Sequence, residues 1–96
     1  MSRITVNTPE QLIIEIGDVE YVLKEKTIEL EEKIQELNDK ATSEQETMKL
    51  YEYWIAIIKI AMGDDVYNTL FPTKENTNTL FLKAIYDAIT KLYQVV

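Results

Sequence analysis

The chain has 96 residues, 46% of them hydrophobic, with nine aromatic side chains, no cysteine, no histidine and a formal net charge of −7. That length makes one domain, which buries only about 60 to 65% of its unfolded surface, and its apolar content excludes a disordered tail as the main reading. Without cysteine and histidine there is no disulfide, no thiol catalysis, no thiolate zinc site and no general base of the commonest kind. The acidic balance argues against a nucleic-acid backbone or an anionic membrane surface as partner.

Residues Met1 to Pro9 are polar, without the apolar run of a leader peptide. Ile4 and Val6 alternate with polar residues, which allows a short strand before Pro9. Leu12, Ile14 and Ile16 then alternate with Ile13 and Glu15, and Gly17-Asp18 reads as a two-residue hairpin loop. Closing the loop there sets Ile16 opposite Val19, Ile14 opposite Tyr21 and Leu12 opposite Leu23, so that all six share one face. The other face receives Ile13 beside Val22 and Glu15 beside Glu20, the latter a mildly repulsive pair. The hairpin therefore spans about 12–23 and needs helices or a second chain to lie on.

From about residue 25 to 41 the period becomes helical. Leu30, Ile34, Leu37 and Ala41 form one narrow stripe, while Glu25, Glu29, Glu32, Glu36 and Asp39 line the opposite side. Ile28 points away from the stripe and is placed at the junction with the hairpin. Ser43 followed by Glu46 has the form of a capping box for a second helix over about 43–62. On a helical wheel of ~100° per residue, Gln45, Lys49, Ala56 and Lys59 cluster around Glu52. Met48, Tyr51, Trp54, Ile55, Ile57, Ile58, Ile60, Ala61 and Met62 are expected to cover most of the remaining circumference. A helix apolar nearly all round is walled in by its own chain or shared with another. Its longest apolar run, Trp54 to Met62, contains Lys59 and is about half the ~20 residues that a spanning helix needs.

Gly63 is expected to end that helix in a left-handed cap. Asp64-Asp65 suit the N-terminus of a short helix over 64–71, which Pro72 stops. After a polar loop, Thr77, Asn78 or Thr79 caps a last helix over about 79–94. There Phe81, Ala84, Ile85, Ala88 and Leu92 make the expected core stripe. Leu82, Tyr86, Ile89 and Tyr93 make a second apolar ridge beside it, taken as the partner-binding surface because aromatic residues are enriched at interfaces. The expected fold class is α+β: an N-terminal β-hairpin packed on a small, mainly α-helical bundle, in a single domain over 1–96.

Chemistry is not indicated. The carboxylate pairs Asp64-Asp65 and Glu44/Glu46 are the best catalytic or metal-binding candidates, but adjacent helical residues point about 100° apart, so Asp64 and Asp65 do not automatically converge on one ion. Ser2 and Ser43 lack a base of the usual kind, and the two glycines are too far apart for a phosphate loop. We therefore expect no enzyme, no catalytic residue, no metal and no cofactor.

The stretches WIAIIKIAMGDDVYNTLF (54–71) and LFLKAIYDAITKLYQ (80–94), with the opening IIEIGDVEYVLK (13–24), resemble the small tail assembly chaperones of long-tailed bacteriophages of Firmicutes. A hairpin, an acidic helix, an apolar helix ending in glycine, a short tyrosine-bearing helix and a final amphipathic helix recur in that order. The resemblance spans most of the chain as a pattern of residue types. It implies a non-catalytic phage or prophage protein in the bacterial host cytoplasm, binding the tape-measure protein and tail-tube subunits and forming homo-oligomers. With no acidic extension after the last helix, the chain would correspond to the short of the two forms that many members make. The alternative from composition is a small acidic inhibitor or nucleic-acid mimic, with the stripe Glu25–Asp39 binding a basic host protein.

Overall fold

Residue period decides the element types, and the chain changes period once. A computed structural model describes residues 2–8 and 10–93. Of these, 59% are helical and 9% lie in strands, so the fold is α+β. The order is β1 (Ile13–Ile16), β2 (Val19–Val22), α1 (Ile28–Ser43), α2 (Thr47–Met62), α3 (Asp64–Leu70) and α4 (Thr79–Tyr93).

The hairpin has the register that alternation requires: Ile13 faces Val22, Ile14 faces Tyr21, Glu15 faces Glu20 and Ile16 faces Val19. Gly17 takes φ +62° in the turn, a value that glycine adopts without steric cost. The Leu23 amide donates to the Leu12 carbonyl at 2.8 Å and carries the ladder one pair further. On the inner face Ile14 and Leu23 are buried and Leu12, Ile16 and Tyr21 half-buried, whereas Val19, beside the turn, stays exposed. No third strand forms among the described residues: Ile4 and Val6 lie in an exposed segment outside any element. The Lys24 amide donates to the Ala61 carbonyl at 2.9 Å, pinning the end of the hairpin to the end of α2.

Helix α1 begins three residues later than its charge pattern suggests. Thr27 is extended, and its hydroxyl accepts from the Leu30 amide at 3.1 Å, a cap that Glu25 has no means to supply. Ile34 and Ala41 of the expected stripe are buried, with Leu30 and Leu37 packed beside them. The expected capping box does not form. Ser43 is the last residue of α1, and its hydroxyl donates backward to the Lys40 carbonyl at 3.1 Å. Glu44 takes over the corner, its carboxylate accepting from the amides of Gln45 and Glu46 at 3.0 and 2.9 Å. Helix α2 consequently starts at Thr47 rather than Ser43.

Helix α2 is the axis of the molecule: α1, α3 and α4 all pack on it. Trp54, Ile57, Ile58, Ala61 and Met62 are buried, and Leu50, Tyr51, Tyr53, Ile55 and Ile60 are partly so. Its all-round apolar surface is thus largely walled in by its own chain. Met48 is the correction: it sits four residues before Glu52, hence on the same face, and is exposed.

Gly63 separates α2 from α3 alone. Its φ of +93° is positive as expected, but its ψ of 153° is far from a left-handed cap. The amide still donates to the Lys59 carbonyl at 2.9 Å, and the carbonyl accepts from the Tyr67 amide at 3.1 Å. One residue therefore ends one helix and starts the next. Tyr67 and Phe71 turn into the core. Asn78 caps α4, its side chain accepting from the amides of Leu80 and Phe81 at 2.9 and 3.2 Å; residue 94, the expected end of this helix, lies outside the described residues.

The radius of gyration is 15.4 Å and the principal extents are 62 × 33 × 18 Å. A compact domain of this length has about 12.5 Å. The slab has room for two packed layers and no third, since packed helix axes lie about 8–10 Å apart. No helix among the described residues is long and apolar enough to cross a membrane.

Candidate interaction surface

The face of α4 expected to bind a partner is the face that builds the core. Leu82, Tyr86, Ile89 and Tyr93 are 1%, 9%, 0% and 5% exposed, which corrects their assignment to an outer ridge. Of the expected core stripe, Ile85 alone is buried; Phe81 and Ala84 are exposed, and Ala88 and Leu92 are half-buried. Both stripes are apolar, so hydrophobicity does not choose between them. Size does: the larger side chains fill the deep space against α2, and the alanines are left toward the hairpin side.

The two tyrosines are tied down by polar ends as well as rings. Tyr86 stacks on Trp54 with centroids 5.3 Å apart and planes 25° from parallel, and Tyr51 tilts against Trp54 at 5.4 Å. The Tyr86 hydroxyl donates to the Asn38 side-chain oxygen on α1, and the Tyr93 hydroxyl donates to the Lys24 carbonyl at the end of the hairpin. These bonds join α4 to elements far away in sequence. Burial raises the pKa of the Tyr67 and Tyr93 hydroxyls; for Tyr86 burial acts first and the charge of Asp87 adds to it. All three therefore stay protonated well into alkaline solution, as the bonds donated by Tyr86 and Tyr93 require.

Apolar surface is left in other places. Ile13 and Val22, a cross-strand pair, are exposed on the outer face of the hairpin, with Val19 exposed at its tip. Leu80 and Phe81 are exposed at the start of α4. Between β1 and α4 runs an open cleft of about 280 Å³ lined by Ile14, Ile16, Phe81, Ala84, Ile85 and Ala88. A second, of about 250 Å³, lies between α2 and the loop before α4, with Met48, Tyr51, Ile55 and Leu82 in its wall. The exposed pair Ile13–Val22 follows from the hairpin register alone; the clefts do not, because they depend on how α4 turns about its axis.

The acidic side of α1 borders a groove of about 720 Å³, with Glu31, Glu32, Glu36 and Asp39 on one wall and Tyr93 on the other. Two carboxylates are partly neutralised, Glu31 by Lys26 and Glu36 by Lys40, each at 3.3 Å. The carboxylates singled out for chemistry are dispersed. Asp64 and Asp65 are exposed in the first turn of α3, and Glu44 is occupied by backbone amides. Among the described residues no group of three or more acidic or metal-ligating side chains is placed to hold a metal ion. No protein-family model matches the chain, and neither a curated protein nor a solved structure matches it.

Proposed function

We propose that the chain is a non-catalytic phage or prophage protein of the tail assembly chaperone kind, binding the tape-measure protein and tail-tube subunits through apolar surface. The observation that supports this reading is apolar surface left uncovered on the hairpin, at Ile13, Val19 and Val22, and at the start of α4, at Leu80 and Phe81. Exposed apolar residues of this kind suit association with long, weakly polar helical clients. The resemblance over residues 13–24, 54–71 and 80–94 points the same way. The surface differs from the one expected at first, since α2 and the large residues of α4 are used within the chain.

The test is co-expression with the tape-measure protein of the same phage genome. The expected outcome is a soluble tape-measure protein that copurifies with this chain, and loss of copurification in an Ile13→Lys, Val22→Lys variant that still folds. A tape-measure protein that remains insoluble in the presence of this chain overturns the reading.

The acidic groove along α1 favours a second reading, an inhibitor or nucleic-acid mimic that binds a basic host protein. Salt separates the two. Carboxylate-driven binding weakens steeply as ionic strength rises and shortens the screening length, whereas binding through the hairpin face is insensitive to salt.

A further inference from the structure

The hairpin is fastened to the helices at one end. Residues 2–8, 10 and 11, which precede it, are exposed and lie in no element, so its one covalent route into the bundle runs through Lys24 to Thr27. Among the described residues, the two hydrogen bonds that tie it to the helices fall at that same end. The Lys24 amide donates to the Ala61 carbonyl at 2.9 Å, and the Lys24 carbonyl accepts from the Tyr93 hydroxyl.

Before Lys24 the attachment is apolar packing, and it weakens toward the turn. Leu23 and Ile14 are buried, Leu12, Ile16 and Tyr21 are half-buried, and residues 17–20 are exposed. Alongside, an open cleft of about 280 Å³ separates Ile14 and Ile16 of β1 from Ala84 and Ala88 of α4, so strand and helix are not closed on each other there. On the outer face Glu15 stands opposite Glu20, a like-charge pair that works against the ladder. A two-stranded sheet of four-residue strands is marginal in water once it leaves its support. Elements with few buried apolar side chains open at a lower free energy than the whole chain unfolds.

We propose that the hairpin, residues 12–23, is a hinged flap that opens from α4 as one unit, pivoting at Lys24, while the four helices stay folded. Ala61 and Tyr93 hold the two sides of the pivot, one at the Lys24 amide and the other at its carbonyl. Opening uncovers Ile14 and Leu23 on the flap and Ile85 on α4, which lines the same cleft as Ile14. Buried apolar surface becomes accessible without loss of the bundle. Flap opening stands apart from the tape-measure reading, since neither needs the other.

Hydrogen exchange, followed amide by amide by NMR at urea concentrations below the unfolding midpoint, tests this on the unmodified chain. Hydrogen-bonded pairs alternate along an antiparallel ladder. With the Leu23 amide bonded to Leu12, the amides of Ile14 and Tyr21 are bonded as well. The expected result is one shared protection factor and one shared, shallow urea dependence for Ile14, Tyr21 and Leu23, at least tenfold below the protection of Ile58 in the middle of α2. The Lys24 amide, one residue further on, should keep the protection of α2, and that step marks the pivot. Tyr86→Phe deletes the bond from α4 to Asn38 on α1 and leaves the hairpin untouched. It should lower the protection of Ile58 and Lys24 several-fold and leave that of Leu23 unchanged, because the open state retains the helices that the substitution weakens. Protection of Leu23 within tenfold of Ile58 overturns the proposal, since the hairpin then opens only with the whole chain. So does graded protection that declines from Tyr21 to Leu23, which is fraying of one end. A Lys24 amide that exchanges with Leu23, or a parallel fall at Leu23 in Tyr86→Phe, overturns it equally.

Discussion

Helix α2 and the hairpin are both rich in isoleucine, but they put it to opposite use. In α2, Ile57 and Ile58 are fully covered because three other helices converge on that axis. In the hairpin, Ile13 and its partner Val22 stay in water because a two-stranded sheet has two faces and only one meets the helices. Apolar content alone therefore does not locate an interaction surface. What matters is how many neighbours an element has, and the hairpin has fewest.

The comparison can be broken most forcefully in the centre of α2. Replacing Trp54 by Ala removes the ring that stacks on Tyr86 and meets Tyr51 and should cost about 3 to 5 kcal/mol, read as a lower urea midpoint with an unchanged slope. A loss below about 1 kcal/mol would show that α2 is not the packed axis described here. Tyr86→Lys should behave likewise: a charge placed in the core unfolds the subunit and does not merely detach a partner.

The polar ends of the core sharpen it at smaller cost. Tyr86→Phe keeps the stack and deletes the hydrogen bond to Asn38, leaving an amide oxygen unpaired, and should destabilise by about 1 kcal/mol. Thr27→Ala, which removes the cap of α1, should cost a similar amount, about 1 kcal/mol, with a matching loss of ellipticity at the helix start. The same tyrosines predict the response to alkali. Their folded-state pKa values lie above the ordinary value, so the folded protein holds more protons than the unfolded one once pH passes about 10. Stability is then complete below that point and declines as pH rises through the folded values. Urea midpoints measured from pH 8 upward should be flat and then fall, and Tyr93→Phe should make the fall shallower.

The smallest effect belongs to the hairpin. Val22→Thr, on the outer face, should change stability by no more than about 0.5 kcal/mol. If it costs as much as a core substitution, that face is covered in the free protein and is not an interaction surface.

Much of the fold is legible in the residues. Alternation from Leu12 to Leu23 with one glycine at its centre permits a single register, because a slip of one residue exchanges every inner side chain for an outer one. Gly63 and Pro72 bracket α3 for reasons local to the backbone. Local chemistry also misleads where two partners compete for one group. Ser43 satisfies either the end of α1 or the start of α2, and proximity to the Lys40 carbonyl decides for α1.

The sequence by itself determined the number, type and order of the elements and the register of the hairpin, since these follow from side-chain period and turn chemistry within a few residues. Only the tertiary structure decided which face of α4 is interior. Leu82, Tyr86, Ile89 and Tyr93 and their neighbours Phe81, Ala84 and Ala88 are both apolar stripes, and a wheel ranks them equally. Depth against α2, the Trp54 ring and the acceptors on Asn38 and Lys24 choose the larger set. Those contacts come from residues up to 69 positions away, and no local pattern encodes a distance of that kind.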